Sequence, residues 1–231
     1  GYVNWGYEAI GRFQNWEQIA NYPIDNDRKG NRTVVPGDIM YKDQNNDGVI
    51  NYLDERPIGY RVDSTPTLNF GINLSASWKG FDLAMDWTGS GMTSWNQCYE
   101  TARPFQNDGN SPDEVLKDAW HLSDIWDANS PLIPGKYPMI RLNTDETSAY
   151  DKSSYWLHNV TYLKLRNLEV GYTFPKTWLN KTGISNLRLF VSGTNLLTLS
   201  NLSVMDPECA SDNGLDYPPM RVINIGVNLK F

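Results

Sequence analysis

Histidine and cysteine are scarce in this chain of 231 residues, with two of each. Of the histidines, His121 and His158, the second has no evident nucleophile or metal partner and reads as a surface residue. The spacing of Cys98 and Cys209 fits no metal motif. Long apolar runs are missing as well. None approaches the ~18 residues that a membrane-crossing helix needs, although transmembrane strands are short, alternate, and leave hydropathy low. Positive charge is in deficit: 20 Lys and Arg stand against 27 Asp and Glu, for a net charge of −7. A nucleic-acid surface would be basic, so no nucleic-acid partner is expected. Gly1 opens the text with no Met, basic segment or apolar segment before it, so no secretory signal lies in it. On that ground the chain reads as cytosolic, or as a piece of a longer protein.

Aromatics are present in quantity, with 13 Tyr and 9 Trp, a β-type composition. The clearest strand pattern lies in 67-TLNFGINLSASWKGFDLAMDWTG-89. Leu68, Phe70, Ile72, Leu74, Ala76 and Trp78 alternate with polar or small residues. After Lys79-Gly80 the alternation resumes with Phe81, Leu83, Met85 and Trp87. This predicts a hairpin with a tight turn. Three further strands are expected in 160-VTYLKLRNLEVGYTF-174, 187-LRLFVSGTNLLTL-199 and 221-RVINIGVNLKF-231. In the first, Leu163 and Leu165 have the wrong parity for Leu168, Val170 and Tyr172. Either a bulge falls near Asn167 or the upper strand has left the apolar zone. Between the strands, 111-SPDEVLKDAW-120 reads as a helix with Ser111 as N-cap, Pro112 at its first position and Glu114 completing a capping box.

Alternation alone does not separate a sandwich from a barrel. Three features favour an all-β fold made of the antiparallel strands of a large transmembrane barrel with long extracellular loops. Connections alternate short and long, aromatics such as Trp156 and Phe231 cluster at strand ends, and the second face carries Asn, Ser, Gly and Asp. Residues 1–66 then form an extracellular loop region. Residues 67–231 supply the last five strands, with a long extracellular loop at about 93–154. Five strands cannot close a membrane barrel, so the remaining barrel chain is an expected partner. Cys98 and Cys209 both fall on the outer side, where a disulfide is possible. A soluble calcium-dependent carbohydrate-binding sandwich is the alternative. Asp82 and Asp86 share a strand face as a catalytic pair would, but two solvated carboxylates are the stronger reading, and no enzyme is expected.

The stretch 41-YKDQNNDGVINYLDERPIG-59 has the spacing of a calcium loop without flanking helices. Hard cations take oxygen ligands, and a loop turning at a Gly converges several on one point. Asp43, Asn45 and Asp47 would give side-chain oxygens, Val49 its carbonyl, and Asp54 would close the shell, with Gly48 at the turn. The usual twelfth residue is Glu. Asp54 is shorter, which implies weaker binding or a different closing ligand. The ion is expected to be structural, holding an irregular outer loop.

Taken in order, 36-PGDIMYKDQNNDGVINYLDERPIG-59, 66-PTLNFGINLSASWKGFDLAMDWTGSGM-92, 159-NVTYLKLRNLEVGYTFPKTWL-179, 189-LFVSGTNLLTLS-200 and 217-YPPMRVINIGVNLKF-231 resemble the C-terminal part of SusC-like TonB-dependent outer-membrane transporters of Bacteroidetes. The resemblance implies a 22-stranded plugged barrel in the outer membrane, of a class known for large outer-membrane barrels. It further implies import of oligosaccharides or peptides, a TonB complex acting through upstream residues, and a SusD-like surface lipoprotein as partner.

Overall fold

The computed structural model describes residues 3–60, 66–142, 147–180, 183–208, 213–214 and 216–231. Its strands are β1 (Val3–Gly6), β2 (Ala9–Arg12), β3 (Ile39–Tyr41), β4 (Arg56–Tyr60), β5 (Leu68–Trp78), β6 (Phe81–Asn96), β7 (His121–Leu122), β8 (Leu132–Ile133), β9 (Leu157–Thr173), β10 (Asn186–Ser200) and β11 (Val222–Lys230). Among the described residues three short α-helices accompany them: α1 (Trp16–Ala20), α2 (Asp113–Lys117) and α3 (Lys176–Leu179). The chain divides into two compact units. One holds Gly1–Ser64, Thr93–Asn159 and Ala210–Asp216. The other holds Thr65–Met92, Val160–Cys209 and Tyr217–Phe231.

The second unit is built on the long alternating segments. Its sheet has five strands in the order β11-β10-β9-β6-β5, an open meander with two free edges. The hairpin turn falls where it was expected. Trp78 pairs with Phe81, and Lys79 and Gly80 both have positive φ, 46° and 91°. Two positive φ values match the twist of the flanking strands. A Cβ on Gly80 would sit 2.7 Å from the Thr173 carbonyl oxygen, and Gly80 itself accepts the Thr173 N–H at 2.8 Å. Gly80→Ala is therefore expected to cost about 1–3 kcal/mol. Urea unfolding checks this; an unshifted midpoint would contradict it.

Register sorts the side chains onto two faces. Ile72 lies opposite Trp87 and Leu74 opposite Met85. Val191 stands between Val170 and Ile225, and Leu189 between Tyr172 and Val227. This apolar face is bare, with Ile225 82% exposed. A sandwich would bury it under a second sheet. Near the hairpin end the face carries an aromatic group, with Phe81 and Tyr172 centroids 4.6 Å apart and Phe174 5.0 Å from Tyr172.

The opposite face is ionic. Arg188 bonds Glu169 at 2.6 Å and also pairs with Asp82. Gly171 leaves the space they fill, since a Cβ there would lie 2.6 Å from an Asp82 oxygen. Asp86 accepts a bond from the Asn167 amide at 3.2 Å. Asp82 is thus ion-paired rather than simply solvated, a correction to the expectation. The two carboxylates are four residues apart, about 13 Å along a strand, beyond the range of a glycosidase pair.

The parity problem in β9 is resolved by a bulge. Pairing passes from Asn167–Thr194 directly to Leu165–Leu197, leaving Arg166 opposite Asn195 and Leu196. Asn195 takes φ 54°. Arg166 donates to the Thr88 hydroxyl at 2.9 Å, and Thr88 belongs to the polar face, between Trp87 and Gly89. Lys164 and Arg166 therefore point to the polar side, and Leu163 and Leu165 return to the apolar one.

In the first unit Tyr7, Ile39, Tyr41, Ile50, Val115 and Tyr137 pack with Trp156 into one core. Trp156, expected in an aromatic belt, is instead a core residue. It is 2% exposed and stacks on Tyr150 at 5.6 Å. His158, expected at the surface, is partly buried, 2.9 Å from the Gln97 amide oxygen and stacked on Trp95. Helix α2 starts one residue later than expected. Pro112 is its N-cap, and no side-chain cap bond forms. Proline has no side-chain acceptor, so the predicted capping box is absent there. Val115, Ala119 and Trp120 are buried, while Leu116 is exposed. Cys209, and with it the pairing to Cys98, lies outside the described residues.

Candidate metal centre

The acidic loop leaves β3 and closes on a turn of 3-10 helix at Tyr52–Asp54. Asn46 and Gly48 adopt φ of 59° and 83°, so the backbone winds tightly around its own side chains. Asp43 accepts the N–H of Asn46 at 2.6 Å and of Gly48 at 2.8 Å. Asn45 accepts the Asp47 N–H at 3.0 Å, and Asp47 accepts the Val49 N–H at 2.9 Å. Asp54 is fully buried. Its two oxygens take the N–H groups of Gln44 and Asn51, both at 2.8 Å. The N–H of Val49, followed by the Asn45 amide, holds the Asp47 carboxyl below its ordinary range.

One oxygen each from Asp43, Asp47 and Asp54 lies within 4.8 Å of the others. Oxygens sharing a calcium ion at about 2.3–2.6 Å can be at most about 4.6–5.2 Å apart. The three acids therefore fit one coordination shell. Among the described residues no cationic side chain pairs with any of the three. Asn45 and Val49 belong to the same net but are engaged otherwise. The Asn45 amide donates to Asp47 at 2.8 Å, and the Val49 carbonyl accepts from the Asn51 amide at 3.2 Å. Of the five positions read from spacing, three converge as acids and two stand beside them.

A partner segment takes the place of the missing helices. Asp25 donates its N–H to the Gly48 carbonyl at 2.8 Å and accepts the Ile50 N–H at 3.0 Å. Ile50, the apolar eighth residue, is fully buried in the core. Next to Asp25, the Asn26 side chain bridges the Ile39 carbonyl at 3.0 Å and the Tyr41 N–H at 3.0 Å. Burial opposes ionisation of Asp27, but the N–H groups of Thr33, Lys29 and Asn31 and the Thr33 hydroxyl outweigh it, and its carboxyl is held down at about 2. The loop thus rests on a second Asx-rich turn. In the sequence that turn reads only as a polar run, 25-DNDRKGNR-32. Its signal was the run of Asp and Asn around Gly30, with Asp27 placed two residues before the Lys29 N–H that it accepts at 2.8 Å.

No protein-family model matches the chain. TonB-dependent receptor P3 of Formosa agariphila is 30% identical over 97% of this chain and 22% of its own length. TonB-dependent receptor P26 of the same organism is 26% identical over 98% of this chain. TonB-dependent receptor SusC of Bacteroides thetaiotaomicron is 31% identical over 34% of it. Among solved structures, the RagAB peptide transporter superposes with a TM-score of 0.60 at 22% identity, covering 99% of this chain and 22% of that one. The RagAB peptide importer in its 'open-open' state gives a TM-score of 0.63 at 23% identity. These two show the fold alone, an open set of antiparallel strands shared with one part of those chains; this chain spans about a fifth of the length of the relatives it matches. The resemblance read from the motifs holds, as a likeness to TonB-dependent receptors over nearly the whole chain and to SusC over a third of it.

Proposed function

We propose that this chain is a stretch of wall and outer loops of a SusC-like, TonB-dependent importer in the outer membrane. The observation that carries the reading is the two-faced open sheet: one face is bare and apolar, the other ionic. Phe70, Ile72, Leu83, Met85, Val170, Ile225 and Leu229 face lipid, and Asp82, Glu169 and Arg188 face the lumen. The remaining barrel strands complete both free edges, because unpaired backbone groups are not tolerated in hydrocarbon. Energy comes from a TonB complex through residues beyond this chain. A SusD-like lipoprotein meets the outer loops, and the cargo is an oligosaccharide or a peptide. Growth and uptake by a strain lacking the full-length protein test this. Uptake of labelled oligosaccharide or peptide is expected to fall in that strain and equally in a TonB-deficient one. Unchanged uptake of both cargo classes would sink the proposal.

Calcium at Asp43, Asp47 and Asp54, with Asn45 and the Val49 carbonyl completing the shell after small side-chain turns, is the second part of the reading. Three carboxylates this close repel one another without a cation. A site closed by Asp rather than Glu suits the weak range of extracellular modules, about 10⁻⁴–10⁻³ M. At millimolar calcium such a site adds about 1 kcal/mol to local stability. Proteolysis of the outer loops in calcium and in chelator measures it. The loop is expected to be cut several-fold faster in chelator, and Asp43→Asn should remove the difference. Equal cutting in both conditions, with no heat of calcium binding by calorimetry, would count against the ion.

A further inference from the structure

We infer that residues 201–208 form a strap folded back along the polar face of the sheet and latched by Lys164 and Arg166, so that in the closed barrel it narrows the lumen at the level of the bulge. The inference rests on the barrel reading above.

The path of the chain comes first. Ser200, the last residue of β10, pairs with Tyr162. Asn201 then holds Thr161, accepting its N–H at 2.9 Å through the side chain and donating its own N–H to the Thr161 carbonyl at 3.3 Å. A loop rising away from the sheet would carry residues 206 and 208 beyond that level. Instead they reach back down β9. Lys164 Nζ lies 2.7 and 2.8 Å from the two Asp206 oxygens and 2.8 Å from a Glu208 oxygen. Arg166 bonds the other Glu208 oxygen. Lys164 and Arg166 are three and five residues below Thr161, about 10 and 16 Å along the strand.

The bulge serves this contact. Without the shift of parity at Arg166, Lys164 would point from the apolar face into lipid. With it, both cations point inward, a side-chain re-aiming typical of bulges. The Lys164 side chain is 1% exposed, and a buried ammonium persists only with partners. Here it has two carboxylates, and Glu208 is shared with Arg166. Asp206 is itself set by accepting the Glu208 N–H at 3.0 Å. None of residues 201–208 is buried, so apolar packing holds the strap weakly and the ion cluster carries its attachment. An element held chiefly by polar contacts opens more readily than the wall beneath it, as a moving constriction must.

The test uses the full-length protein in intact cells, with Cys98→Ser and Cys209→Ser as background and Val204→Cys as reporter. A membrane-impermeant maleimide reads how open position 204 is. Lys164→Met is expected to raise its labelling rate about tenfold while heat-modifiable barrel persists. If Lys164→Met does not assemble, Asp206→Asn with Glu208→Gln leaves the strands untouched and is expected to give the same rise. An unchanged labelling rate in an assembled variant overturns the latch. An Ile225→Cys reporter separates the two readings: labelling there in intact cells would overturn the barrel orientation itself, whatever happens at position 204.

Discussion

Arginine at both Ile225 and Val227 is expected to abolish assembly of the full-length protein into the outer membrane. The two residues alternate on β11 with Asn224, Gly226 and Asn228. Their cross-strand partners are Val191 and Leu189, so they sit within the apolar face. Each charge at the bilayer midplane costs about 2–4 kcal/mol, falling towards the interfaces. Two neighbouring arginines also repel, so the pair is expected to cost at least the sum. That is comparable to the whole stability of many folded domains, about 5–15 kcal/mol. The control lies one residue away. Asn224 pairs with Ser192 on the polar face, and Asn224→Lys is expected to assemble normally. Heat-modifiable protein in outer-membrane fractions measures both. If the double variant assembles as well as Asn224→Lys does, the faces are assigned the wrong way round.

The sheet was legible in the sequence because its signal is local. Period-two alternation over eight or more residues, broken by Lys79-Gly80, needs no knowledge of distant contacts. Even the bulge announced itself, as the parity mismatch between Leu165 and Leu168. The first unit was less legible for the opposite reason. β1 to β4 are three to five residues long, too short to show a period. Their pairing is set by long-range contacts such as Tyr7 with Lys152 and Asp25 with Ile50. Trp156 shows the same limit. An aromatic near a strand end reads as a belt residue, and only the surrounding Tyr137, Tyr150 and Tyr155 make it core. In the metal loop the spacing found the three converging acids. It could not find Asp25, which supports them from 18 residues before Asp43. The ion clusters of Arg188 and Lys164 were equally out of reach, since charged side chains on a polar face carry no pattern that identifies their partners.

Arg141→Met is expected to loosen the first unit strongly at neutral pH and much less under mild acid. Asp38 is fully buried, and the Arg141 guanidinium, 19% exposed, is its ion partner. Its other side-chain bond is the Val35 N–H at 3.0 Å. Arg141 also donates to the Thr33 carbonyl at 3.0 Å, which ties the Asx-rich turn to the same group. Removing one member of a buried pair strands the other charge, at a cost of about 3–5 kcal/mol. The pH dependence follows from the direction of the shift. Burial raises the Asp38 carboxyl above its ordinary value even with Arg141 opposing it. An acid whose folded value is raised contributes most below its unfolded value, and that contribution is lost as pH rises through the folded value. Without Arg141 the folded value climbs further. The deficit of the variant should therefore be largest above that value, at neutral pH, and shrink as the buried carboxyl takes up a proton. Hydrogen exchange at Phe13 and Ile39, whose segments pack around Asp38, measures it at pH 7 and pH 5. The double variant Asp38→Asn with Arg141→Met removes both charges of this pair. It should exchange more slowly than the single variant at pH 7, with little change on acidification. Equal exchange in single and double variants at both pH values would mean that Arg141 acts through Thr33 and packing rather than through the charge of Asp38.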